Sequence, residues 1–346
     1  MCTKQQKILI FGGNMSYLYL TENNLYVGIT NNQLYVKNGD ETESIPIETL
    51  ESISVFGNSQ LSTQCIHECM KRNIPVLYYS SIGVYIGRTQ AIDNTNVNRI
   101  KKQMEFVTTD SAIILSKKII ISKIHNQIVV MSRYAKSKNM DIHHQIIQMK
   151  ILKTKIELCE DTETIMGYEG NAARIYFGVL SHAVDDEFKF NGRNRRPPKD
   201  PFNALVSLGY TIITNEIYGK IEGKGLTPYI GFLHKMNRKH PILASDLIEE
   251  WRPVIVDSIV MSLINGHEIT RDCFTKCYET GAIYLNKEGK KIFFDKLENR
   301  MRSEMKYLEY ADYPVSFRRG LELQVNAFNN VLENNNPDMY TPIKIR

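Results

Sequence analysis

The sequence of 346 residues predicts an α+β protein, with a small N-terminal β-rich domain followed by a larger all-helical domain. Three observations carry this. From about residue 8 to 87 apolar and polar residues alternate with a period of two, as in "YLYLTENNLYVGITNNQLYVKNGD". Further on, "SAIILSKKIIISKIHNQIVVMSRYAKS" and "HHQIIQMKILKTKIELCED" show apolar residues at helical spacing. Between them, "QAIDNTNVNR" is polar, which puts a boundary near Asp93 to Asn98.

In the first domain the Asn-Asn pairs at 23–24 and 31–32 supply turns that tolerate positive φ, so several short strands should form a meander. "IPIETLESISVFG" reads as one or two strands, and "LSTQCIHECMKRN" as a short helix capped by Ser62 or Thr63. "IPVLYYSSIGVYIG" returns to β. The expected domains are residues 1–95 and 96–332, and "ENNNPDMYTPIKIR" reads as a mobile tail over 333–346.

Composition excludes several classes. No stretch approaches the ~20 apolar residues of a membrane helix, and the N-terminal apolar run is too short for a secretory signal, so a cytoplasmic protein is expected. Cys65 with Cys69, and Cys273 with Cys277, share one spacing that suits buried thiols on a helix face better than a closed zinc site. A net charge of +5 is too small to demand a polyanionic partner. Its distribution says more: Arg193, Arg195, Arg196 and Lys199 crowd "RNRRPPK", and Lys235, Arg238 and Lys239 follow His234. Such runs are solvated loops unless other residues point to phosphate. Gly219, Gly223 and Gly225 match neither the dinucleotide fingerprint nor the phosphate loop.

Two carboxylate segments and a histidine remain. In "GYEGNAARIYFGVL", Glu169, Ala173 and Tyr176 would line one helix face, although a lone Glu in a first turn also serves the helix dipole. In "SDLIEEWRPVIVD", Asp246 and Glu249 have the spacing of a capping box, and Pro253 either kinks a helix or opens a second element. Taken with His234, these acids make a mixed oxygen and nitrogen donor set that suits Mn2+ and accepts Mg2+. Beside the basic segments, that is the pattern of a phosphodiester-cleaving or phosphodiester-transferring enzyme.

"YEGNAARIYF", "RNRRPPKDPFNALVSLGY", "GFLH" and "LASDLIEEWRPVIVD", in this order, resemble the motifs of the CRISPR-associated Cas1 family, and "KIHNQ" is similar to that family's first helices. The resemblance covers roughly residues 8 to 330. It implies an endonuclease and integrase that inserts new spacers into a CRISPR array, by attack of a DNA 3′-hydroxyl on a repeat phosphodiester. It implies one Mn2+ or Mg2+ held in the helical, catalytic domain by Glu169, His234 and Glu249, with Asp246 as the alternative acid or as a residue orienting the site. Arg193, Arg195, Arg196, Lys199 and Asn203 would shape the site and hold DNA phosphates. A homodimer through the β-rich domain, and a hetero-hexamer with the small Cas2 protein, are the implied partners. A general metal-dependent nuclease and a catalytically silent DNA-binding scaffold are the competing readings.

Overall fold

A computed structural model describes residues 9–11, 16–89, 91, 95–235 and 240–346, the side chains of residues 9–11 and 16 excepted. The chain divides into two compact units. The first comprises Met1–Asp93, Cys273–Thr275 and Tyr284–Asp295, and the second Asn94–Asp272, Lys276–Ile283 and Lys296–Arg346. The first unit is thus not one continuous stretch of sequence.

In the first unit, strands β1 (Leu9–Phe11), β2 (Ser16–Leu20), β3 (Tyr26–Thr30), β4 (Gln33–Asn38), β5 (Glu41–Pro46), β6 (Leu50–Phe56), β7 (Gln60–Leu61), β8 (Val76–Tyr79) and β9 (Tyr85–Thr89) form two sheets. The expected meander exists only in part. β3, β4 and β5 are antiparallel neighbours, and the β3–β4 turn is the pair Asn31 and Asn32, with φ of 48° and 60°, as a two-residue primed turn requires. β2, β6 and β8, however, are parallel. The helix α1 (Thr63–Lys71) supplies the crossover from β6 to β8, which a hairpin cannot do. Being paired on both sides, β6 is buried along almost all its length, Ser52 and Ser54 included. Ser62 caps α1 by accepting from the Cys65 N–H at 3.1 Å, and Cys65 and Cys69 face the core beside Val27, Leu34 and Val76.

Among the described residues, these helices lie wholly in the second unit: α2 (Val97–Phe106), α3 (Asp110–Ser137), α4 (His143–Glu157), α5 (Thr162–His182), α6 (Pro201–Gly223), α7 (Ile242–Leu247), α8 (Ser258–Asn265) and, after α9 (Lys287–Arg302), α10 (Phe317–Asn334). α9 begins in the first unit and ends in the second. Of residues 333–346, expected to be a mobile tail, the last part is held against the helical unit. Tyr340, Ile343 and Ile345 are buried, and the Tyr340 hydroxyl and Ile343 N–H donate to Glu250 at 2.6 and 3.0 Å. Among the described residues no helix is long and apolar enough to cross a membrane.

Candidate metal centre

The loop Gly231–His234 is shaped from both ends. The buried Gln103 of α2 donates to the carbonyls of Thr227 and Ile230 at 2.7 and 2.5 Å and accepts from the Thr227 N–H at 3.1 Å. The loop then wraps one carboxylate. Asp246, fully buried, accepts from the N–H groups of Phe232, Leu233 and His234 at 2.7, 3.0 and 3.2 Å, and from His234 Nδ1 at 2.7 Å. A carboxylate at Nδ1 fixes the proton there and leaves Nε2 as the lone-pair nitrogen. Gly231 is needed for this approach, since a Cβ there would lie 2.3 Å from Asp246 Oδ2. The capping-box reading therefore fails. Asp246 lies near the end of α7, whose N-cap is Pro241, and its acceptors are spent on the loop.

Glu249 follows in a tight turn, Glu249–Trp251, and Pro253 opens a wider helical turn leading to α8, so the proline begins an element rather than kinking one. Glu249 Oε1 lies 3.8 Å from His234 Nε2 and 3.2 Å from Arg252 Nη2, while its Oε2 accepts from Lys123 Nζ at 2.5 Å. The same Nζ donates to Glu169 Oε1. Glu169 stands well inside α5, so the first-turn dipole reading does not apply. Burial alone would raise the Glu249 carboxyl, but Arg252, Lys123 and His234 outweigh it and hold the group well below the usual carboxylate range. Burial likewise pulls Lys123 down, and Glu169 and Glu249 together reverse it. For His234, the bond to Asp246 and the charge of Glu249 overcome burial and raise the imidazole.

Two carboxylates and an unprotonated imidazole nitrogen are the donors a Mn2+ or Mg2+ site uses, and in that chemistry Glu169, His234 and Glu249 fit such an ion. As placed, the two acids converge on Lys123 Nζ. Among the described residues no three acids, histidines or cysteines are close enough to share one ion.

The basic segment divides. Arg195, Arg196 and Lys199 are exposed, Lys199 donating to the Thr280 carbonyl at 2.7 Å. Arg193 turns inward, donating to Asn203 Oδ1 at 2.6 Å and Ser207 Oγ at 3.2 Å, with its guanidinium 5.4 Å from the Tyr210 ring centre. Asn203 is fully buried and also donates to the Gly192 carbonyl and Asp200. These two residues fasten the "RNRRPP" loop to the start of α6 and do not present their side chains to a phosphate. Lys235 pairs with Glu163 at the surface; Arg238 and Lys239 lie outside the described residues.

Residues 18–299 match the family model described as CRISPR associated protein Cas1. The CRISPR-associated endonuclease Cas1 of Mycobacterium tuberculosis is 34% identical over 96% of this chain and 98% of its own. The chain belongs to the Cas1 family. Among solved structures, a chain of a "Cas6-RT-Cas1--Cas2 complex" matches at TM-score 0.82 and 24% identity, over 99% of this chain and 38% of that longer one. A "Casposase bound to integration product" matches at TM-score 0.81 and 22% identity, over 92% and 91%. At such identities these two likenesses show the Cas1 fold, a β-rich region followed by a helical domain.

Several residues of this Cas1 centre were not singled out from sequence. Lys123 carried a signal: with Asn126 and Gln127 it interrupts the isoleucine-rich buried face of α3. Arg252 joins Glu249 to Tyr210, its guanidinium 4.5 Å from that ring centre. Behind it, Tyr210 and Tyr176 donate to Asp257 at 2.6 and 3.0 Å. Burial pushes Asp257 up to about 6, against the hydroxyls of Tyr210 and Tyr176 and the charges of Arg193 and Arg252.

Proposed function

We propose that this Cas1 protein is a divalent-metal-dependent DNA endonuclease and integrase, acting in the cytoplasm, that inserts new spacers into a CRISPR array. Family membership supports the activity class. The observation that carries the site is the facing pair His234 Nε2 and Glu249 Oε1, 3.8 Å apart, with Glu169 reaching the same Glu249 through Lys123. Glu169, His234 and Glu249 would hold Mn2+ or Mg2+, which when bound supplies Lewis-acid polarisation of a phosphodiester and a lowered hydroxyl pKa.

The chain's own residues do the remainder. Asp246 keeps the His234 proton on Nδ1 and aims the ring, which makes it an orienting residue and leaves Glu249 as the acid facing His234. Arg252 holds Glu249 ionised and is itself steadied on Tyr210. Arg195 and Arg196, exposed and near enough to His240 to help lower its pKa, hold backbone phosphates of DNA. The 3′-hydroxyl of a captured fragment attacks the repeat phosphate, the P–O bond to the strand's own 3′-oxygen breaks, and that oxygen takes a proton and leaves as a free 3′-hydroxyl; water in place of the fragment gives a nick. A Cas1 homodimer through the β-rich unit, and assembly with Cas2 into a hetero-hexamer, complete the proposal, supported by the complex in which a Cas1 chain of this fold is named with Cas2.

The test supplies a supercoiled plasmid carrying a repeat, short duplexes with free 3′-hydroxyls, Cas2 and Mn2+. Joined products are expected. Nicks alone would reduce the protein to a nuclease, and neither product would leave a DNA-binding scaffold. Glu169→Ala and His234→Ala should each abolish the chemistry while melting within a few degrees of wild type; activity retained in either would sink the site.

A further inference from the structure

Lys123 is the residue of the centre that neither the donor set nor the basic segment accounts for. Its ammonium is buried, reaches the centre from α3, and bonds Glu169 Oε1 and Glu249 Oε2 at once. We propose that Lys123 is an internal counter-ion that holds Glu169 and Glu249 together and competes with a divalent cation for them. The inference rests on the metal site proposed above and deepens it.

The charges state the case. Glu169 and Glu249 are balanced by Lys123 and by Arg252, which bonds Glu249 Oε1 at 3.2 Å. Asp246 is committed to the loop and His234, so it does not alter that balance. Without Lys123, the buried Glu249 would keep Arg252 while the partly buried Glu169 would lose the cation that joins the two, a costly arrangement with little water to screen it. With Lys123 in place, an ion taking those acids must either share oxygens that the ammonium bonds or expel it. In both cases it meets a like charge at close range, and Lys123 and Glu249 are buried enough that water screens the repulsion only weakly. A residue that only orients metal ligands predicts that its loss weakens metal binding. A competing counter-ion predicts the opposite sign, together with a less stable metal-free protein.

Calorimetric titration of Mn2+ into the full chain, without DNA, reads this directly. Lys123→Met is expected to bind Mn2+ at least ten-fold more tightly than wild type. Its metal-free form should melt several degrees lower, and Mn2+ should raise its melting point by more than it raises that of wild type. Wild type binding Mn2+ while a folded Lys123→Met binds it equally or more weakly overturns the inference alone. Absence of binding by wild type removes the metal site itself, and the inference with it. Should Lys123→Met not fold, wild-type crystals soaked in Mn2+ decide: Nζ is expected to have left Glu169 and Glu249, and Nζ still bridging both overturns the proposal.

Discussion

Asp246 and Glu249 lie three positions apart, and their spacing alone fits a helix start. What separates their roles is which groups reach them: backbone N–H groups and an imidazole N–H for Asp246, the cations Lys123 and Arg252 and the far nitrogen of His234 for Glu249. Gly231→Ala tests the first. The added Cβ meets Asp246 Oδ2 at 2.3 Å and Ile242 Cγ2 at 2.4 Å, so the loop must shift and His234 with it. The expected cost is about 1–3 kcal/mol of overpacking, read by denaturant unfolding, with weakened Mn2+ binding. Unchanged Mn2+ affinity would show that the loop does not set His234. Asp257 tests a buried acid that faces Tyr176, Tyr210, Arg193 and Arg252. Its folded pKa of about 6 lies above the unfolded value of ~3.9, so the folded state binds the proton more tightly. The sign follows: stability from this group is present below about pH 4 and is lost as pH rises to 6. Wild type should lose on the order of 2–3 kcal/mol relative to Asp257→Asn between pH 4 and pH 7. A difference that does not vary with pH would refute the assignment.

Elements were legible where the local pattern is the cause. The α3 and α4 periodicities, the Asn31-Asn32 turn and the Ser62 cap are decided by neighbours within a few positions. The parallel strands and the C-terminal segment were not, because their partners lie far along the chain. "ENNNPDMYTPIKIR" is polar enough to read as a tail, yet Tyr340 and Ile343 reach Glu250, 90 and 93 positions earlier. The same segment ties α3: Asn126 donates to the carbonyls of Ile343 and Glu250 and accepts from the Ile345 N–H. It thereby braces the helix that carries Lys123 and the turn that carries Glu249. Deleting residues 337–346 strips Glu250 of two donors and leaves it Gln324. The expected destabilisation is about 3–5 kcal/mol, seen as a drop in melting temperature, with weaker Mn2+ binding. A truncated chain that melts like the whole one would return the segment to a mobile tail.

At the scale of the molecule the question is what the excess of 43 cations over 38 acids does. Read from sequence, all four cations of "RNRRPPK" face DNA, and their removal would lower the slope of log K against log salt by roughly 3–4 units at ~0.9 per phosphate. The structure divides them. Arg193 is bonded to Asn203 and Ser207 and stacked on Tyr210, so its loss should lower the melting temperature and leave the slope nearly unchanged. Arg195, Arg196 and Lys199 are exposed, and the variant with all three changed to Ala should flatten the slope by roughly 2–3 units while melting like wild type. Duplex binding measured at several salt concentrations separates the two readings. Arg193→Ala flattening the slope by a full unit without loss of stability would restore the reading from sequence. A triple variant with an unaltered slope would make the whole run a solvated loop, and the DNA path would have to be sought on another face.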